Sequence, residues 1–283
     1  MPGRIAIVTD STAYLPIGLA EELGVTVVPL HVVLNGESGI EGVEVTPDDL
    51  ARALSERRTS VTTSRPTPED FATTYRKALA GGAEGVVSVH LSSELSGTWD
   101  AARLASVECG QDTVRVVDSR SAAMGLGFAV LAAAEAAEAG SGLDEVEAIA
   151  ERVVDRTTTL FYVDTLEHLR RGGRIGAAQA LLGTALAVKP LLHVVDGRIV
   201  PLEKVRTTSK ALARLEELAL VAAGEFTVDI AVQHLAAAEK AAALADRLRS
   251  RVPHLHRLYA SEVGAVVGAH VGPGLLGVVV VRR

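Results

Sequence analysis

Residues 85–99 read GVVSVHLSSELSGTW. The first seven carry three valines and a leucine and no acid, lysine or arginine, which is the composition of a buried strand. A loop with three serines follows, and helical residues begin at about Ser96. A strand that runs through a polar loop into a helix is the repeating unit of parallel α/β sheets.

The same unit recurs on both sides of this stretch. RIAIVTDS (residues 4–11) is a continuous apolar run that ends in a polar loop, followed by helical residues around Ile17–Leu23 and by the strand pattern VTVVPLHVVL (residues 25–34). TVRVVDS (residues 113–119) is a further strand and leads into the Ala-rich stretch Ala122–Ala139. Thr46-Pro47-Asp48-Asp49 and Thr67-Pro68-Glu69-Asp70 each combine a capping hydroxyl, a proline at the first helical position and acids in the first turn. The second of these predicts a helix to about Ala80. Together these signals predict an α/β/α domain with a parallel sheet over residues 1–157.

From about Thr157 the texture changes. KPLLHVVDGRIVPLEKVRT places Asp196-Gly197 between apolar runs, a hairpin signal. A helix from Ser209, the strand FTVDIAV, a helix over Ala236–Arg249 and the strand LHRLYASEV follow. Residues 158–283 therefore read as a second α/β domain with a mixed sheet. A chain of 283 residues fits two domains, and 48% hydrophobic with 22% charged residues is a globular composition.

A net charge of −7 argues against nucleic acid as a partner, because phosphate binding needs a basic footprint. The first residues go directly into a strand pattern with no apolar leader, so the expected location is the cytoplasm. The lone Cys109 excludes an internal disulfide and a cysteine-built zinc site, and reads as an inert, buried thiol. Val263–Val281 lacks Lys, Arg, Asp and Glu, but its glycines and Pro273 break it too often for a membrane span. Two buried strands around a Gly-rich loop are expected there.

Four polar clusters could carry function. Thr9-Asp10-Ser11-Thr12, Ser92-Ser93 and Asp118-Ser119 each close a strand of the first domain. Ligands of parallel α/β sheets bind at that end, yet the same residue types are also ordinary helix caps. Thr62, Thr63 and Ser64 precede Arg65-Pro66, whose proline favours extended backbone before it, either as a donor array or as a solvated loop. Arg170, Arg171 and Arg174 straddle Gly172-Gly173 at a predicted helix end. There they complement the helix dipole or grip an anion. His270 sits among glycines in GAHVGPGLLG, as a structural imidazole, a hydrogen-bond donor or a base.

A nucleophile elbow, a Walker phosphate loop, a dinucleotide fingerprint and spaced metal ligands are all missing from the sequence. What remains is a set of donors suited to holding an anion.

Taken in order, IVTDSTAYLP, TTSRPTPEDF, LSSELSGTW, VVDSRSAAMGLG, TLEHLRRGGRI, VKPLL…DGRIVPLEKVRT and GAHVGPGLLGV resemble the DegV family from about residue 4 to 281. The resemblance implies a long-chain fatty acid held between two α/β domains and presented to a separate, ATP-using fatty acid kinase, which would phosphorylate its carboxylate. It implies no catalysis by this chain and no cofactor of its own. Carried over by position, the carboxylate-binding residues would be Thr62 or Thr63, Ser93 and His270, with Ser64 and Ser96 as neighbours. Arg174 and Arg206 would face the kinase or the acyl-phosphate. Arg65 and Glu94 depart from the family pattern, which often has Gln and Gly there.

The composition suits such a ligand. Aromatics are only 3% and aliphatics are abundant, and burying a C16 chain is worth on the order of 10 kcal/mol before costs. The alternatives are a hydrolase using Ser93 or Ser96 with His270 and an aspartate such as Asp10, or a lipid-dependent sensor module.

Overall fold

A computed structural model describes residues 4–56, 60–181 and 189–283. Val188, the first residue of the VKPLL piece, lies outside them. The chain forms two compact units, one of residues 1–31 and 64–155, the other of residues 32–63 and 156–283.

The first unit is built on a four-stranded parallel sheet in the order Thr26–Val28, Ile5–Asp10, Gly85–His90 and Val114–Asp118. Alternation along these strands feeds two cores. Val8, Val86 and Val114 pack with Phe71, Tyr75, Ala101 and Ala105 of the helices Pro68–Ala80 and Thr98–Cys109. Ile5, Ile7, Val87, Val89 and Val117 pack with Leu126, Ala129, Val146 and Ala150 of Met124–Glu138 and Leu143–Asp155. Helices thus cover both faces, as expected of an α/β/α unit. Both Thr-Pro-acid starts cap as read: Thr46 with Asp49 and Thr67 with Asp70 form reciprocal capping boxes. Cys109 is a free, half-buried thiol whose Sγ lies 3.8 Å from Ala72 O.

The second unit carries a mixed six-stranded sheet in the order Arg198–Val205, Lys189–Val195, Thr157–Tyr162, Leu276–Arg282, Val228–His234 and Leu255–Glu262. Its strand pairs are antiparallel except the last. Asp196 and Gly197 turn the hairpin with φ of 48° and 78°, the left-handed pair that a two-residue loop requires. The helices Thr208–Ala223 and Ala238–Arg251 bury Leu215, Ala219, Leu244 and Leu248 against Leu160, Ile230 and Val278 of this sheet.

Three expectations need correction. Residues 32–63 do not belong to an uninterrupted 1–157 domain: they pack with the C-terminal residues. The run at residues 25–34 is not one strand. Pro29 and Leu30 divide it into Thr26–Val28, in the parallel sheet, and His31–Leu34, in a separate three-stranded sheet with Glu37–Ile40 and Val61–Ser64. The first apolar piece of Val263–Val281 is the helix Ala265–Val271, and only the second, Leu276–Arg282, is a strand. A short apolar run looks alike in either state when both of its sides are buried. Among the described residues, no helix is long and apolar enough to cross a membrane.

Candidate functional site

The strand Val61–Ser64 alternates between half-buried and exposed residues, so Thr62 and Thr63 point to opposite sides. Thr63 is the half-buried one, and its Oγ1 lies 2.9 Å from His270 Nε2. His270 comes from the last turn of Ala265–Val271. Around this pair lies a cavity of about 430 Å³, within the range of small-molecule sites. Its polar lining is Ser60, Thr62, Thr63, His168, Arg171, Arg174 and His270, and Leu54, Val61 and Ala269 are among its apolar residues. All of them belong to the second unit.

Burial pushes the His270 imidazole down to about 4, and the nearby Arg174 guanidinium pushes in the same direction. The ring is therefore neutral at pH 7. Its Nδ1 is buried and has no hydrogen-bond partner among the described residues. A neutral ring bonded to a hydroxyl through Nε2 has two arrangements. If Nε2 accepts from Thr63, Nδ1 carries a hydrogen with no acceptor; if Nε2 donates, the Thr63 hydroxyl hydrogen is released. Each arrangement offers one hydrogen to an incoming oxygen anion.

The basic segment supplies further lining, with Gly172 packed against the His270 ring. The helix Glu167–Arg171 ends at Gly172, and Gly173 has φ of 69°. Arg170 and Arg171 both bind the Glu167 carboxylate. The Arg174 side chain turns back to donate to Gly172 O at 2.6 Å, which satisfies a carbonyl at the helix end. His168 is held below its ordinary value by burial and then by Arg171. His168, Arg171 and Gly172 are spaced i, i+3 and i+4, so one helical face delivers them to the cavity. Arg171 is one of the arginines singled out in the sequence, and the three-residue spacing from it is the signal that points to His168. Arg206 is exposed and does not line the cavity.

Ser64, Ser93 and Ser96 belong to the first unit. Ser93 is half-buried and donates its hydroxyl to Asp118 Oδ2 at 2.6 Å. Ser96 accepts from Thr98 N at 3.3 Å, at the start of the helix Thr98–Cys109. Ser64 is exposed and donates to Arg65 O at 3.4 Å. Arg65, the departure from the family pattern, donates to Gly97 O at 3.1 Å and ties the TTSRP segment to the LSG turn within that unit. Glu94 is exposed.

For the hydrolase alternative, Asp10 stood as one example of an aspartate that could orient His270. Instead, Asp10 is fully buried in the first unit, with its oxygens occupied by Thr12, His90 and Leu91. Among the described residues, no group of three His, Cys, Asp or Glu could hold a metal ion.

A family model described as "Uncharacterised protein, DegV family" matches residues 4–283. A DegV domain-containing protein of Streptomyces coelicolor is 62% identical over 283 residues, 100% of both chains. The solved structure of a DegV family protein from Thermus thermophilus, described by its fatty acid binding, is 39% identical. It has a TM-score of 0.93 and covers 99% of this chain and 100% of its own. DegV from Bacillus subtilis, described as a fatty acid binding protein, is 35% identical with a TM-score of 0.90 over 99% and 100% of the two chains. With sequence motifs, topology and family match in agreement from end to end, the chain belongs to the DegV family.

Proposed function

We propose that this protein binds a long-chain fatty acid, holds its carboxylate at Thr63 and His270, and presents it to a separate fatty acid kinase. The observation that carries this reading is the Thr63–His270 pair, which has one hydrogen to give and opens on a cavity with two arginines. A buried carboxylate costs several kcal/mol unless it is hydrogen-bonded. Neutral donors can offset that cost without the bidentate grip of an arginine fork, which suits a carboxylate that must later be phosphorylated. Thr62 also borders the cavity, although its side chain leaves the other face of the strand, and is the second hydroxyl candidate.

In this reading the protein has no turnover of its own and brings no cofactor, since ATP is bound by the kinase. Arg174 and the exposed Arg206 serve the kinase or the acyl-phosphate. Ser93, Ser64 and Ser96 are the hydroxyl candidates of the first unit.

The test is native mass spectrometry of protein made in bacteria and then incubated with C14–C18 fatty acids. A one-to-one fatty-acid adduct is expected, and protein that stays empty would sink the reading. Ser93→Ala is expected to weaken retention about tenfold (~1.4 kcal/mol) with the fold intact. Arg206→Ala should retain the lipid and lower phosphorylation by the kinase. Lipid loss with normal phosphorylation in Arg206→Ala would reverse the assigned roles.

A further inference from the structure

Glu41 is a buried acid, 6% exposed, that none of the polar clusters accounts for. Its partner is the helix that carries His270. That helix, Ala265–Val271, starts at Gly264, which offers no side-chain cap. Glu41 Oε1 supplies the acceptor from 225 residues away, taking a hydrogen bond from Val266 N at 2.6 Å. A carboxylate at the first turn also meets the positive end of the helix dipole.

Two further contacts lie along the same helix. Leu50 packs so closely on Gly268 that a Cβ there would come within 2.5 Å of Leu50 Cδ2. In the last turn, His270 meets Thr63. The segment of residues 32–63 thus touches this helix at its start, its middle and its end.

We infer that Glu41 is the positioning residue of the Thr63–His270 pair, fixing the helix that carries the imidazole against the segment that carries the hydroxyl. A helix rises ~1.5 Å per residue and behaves as a short rod, so displacement at Val266 is transmitted to His270 one turn later. The hydrogen bond at the far end tolerates little of it, because such bonds weaken beyond ~3.2 Å. The ligand half of this inference rests on the proposed carboxylate site, whereas the imidazole half stands on geometry alone.

The test uses full-length protein labelled with 15N at histidine, read first without ligand and then titrated with palmitate. Glu41→Ala is expected to replace the His270 nitrogen signals of a hydrogen-bonded ring by averaged ones, and to lower palmitate affinity about tenfold. Glu41→Gln, whose amide oxygen still accepts from Val266 N, should restore both. Leu248→Ala, a truncation in the core of the same unit, should lower the Tm and leave the His270 signals unchanged.

Val266→Pro removes the N–H from the other side and is tolerated in a first helical turn, so it should reproduce the averaged signals even if Glu41→Ala fails to fold. Wild-type His270 signals in Glu41→Ala or Val266→Pro would overturn the inference. Averaged signals in Glu41→Ala, in a protein whose wild type binds no palmitate, would uphold the positioning role and overturn the fatty-acid reading instead.

Discussion

Gly172→Ala is expected to lower palmitate affinity about a hundredfold, although it adds a single methyl group (~2.7 kcal/mol). Gly172 has φ of −75° and ψ of −5°, which alanine adopts without strain, so the backbone pays nothing for the change. The effect comes from the space above it. A Cβ at position 172 would stand 2.1 Å from His270 Nδ1 and 2.8 Å from Cε1. Atoms cannot approach that closely, so the ring must turn or retreat by an ångström or more. Its bond to Thr63 is then lost, and the buried Nδ1 is displaced. Overpacking of this kind also costs about 1–3 kcal/mol of stability, which a thermal melt would register. Calorimetric titration of Gly172→Ala with palmitate is the measurement. Wild-type affinity would show that the imidazole takes no part in holding the carboxylate.

The sequence carried the local rules of this fold better than its long-range ones. Pro47 and Pro68 open their helices at the residues read, because hydroxyl, proline and acid act within one turn. Asp196-Gly197 makes its hairpin for a similarly local reason: few other dipeptides accept two positive φ angles. Nothing local distinguishes Thr26–Val28 from His31–Leu34, yet they join different sheets. The choice is made by partners at Ile5–Asp10 and Val61–Ser64, which a scan of residues 25–34 does not see. The site divides in the same way. His270 and the hydroxyl run were legible as residue types, but preferring Thr63 to Thr62 required the strand's inward face. Glu41 carries no signal in the sequence, since its partner is 225 residues away.

Asp10→Ala is expected to destabilise the first unit by about 4 kcal/mol. Asp10 Oδ1 accepts from Thr12 N at 3.0 Å and from Thr12 Oγ1 at 2.5 Å. Oδ2 accepts from Leu91 N at 3.0 Å and lies 3.0 Å from His90 Nδ1. His90 Nε2 is 2.6 Å from Ser88 Oγ, which in turn accepts from the Tyr75 hydroxyl at 2.8 Å. Burial raises the Tyr75 phenol far above its ordinary value, so it stays protonated and donates. The order of donors follows: Tyr75 to Ser88, Ser88 to His90, His90 to Asp10. Distances in this chain match those of a Ser-His-Asp triad, but Asp10, Ser88 and His90 are all 0% exposed, and a nucleophile needs access to its substrate. Its work is to join the strand ends at Asp10 and His90 to the helix Pro68–Ala80. Removing the carboxylate strands the Thr12 and Leu91 N–H groups and the His90 proton in a fully buried site, at ~1–3 kcal/mol each. The single tryptophan, Trp99, lies in the same unit, so its fluorescence in urea reports the loss directly. A shift below about 1 kcal/mol would mean that water reaches these donors. Ser88, His90 and Asp10 would then have the access that a catalytic reading of them lacks.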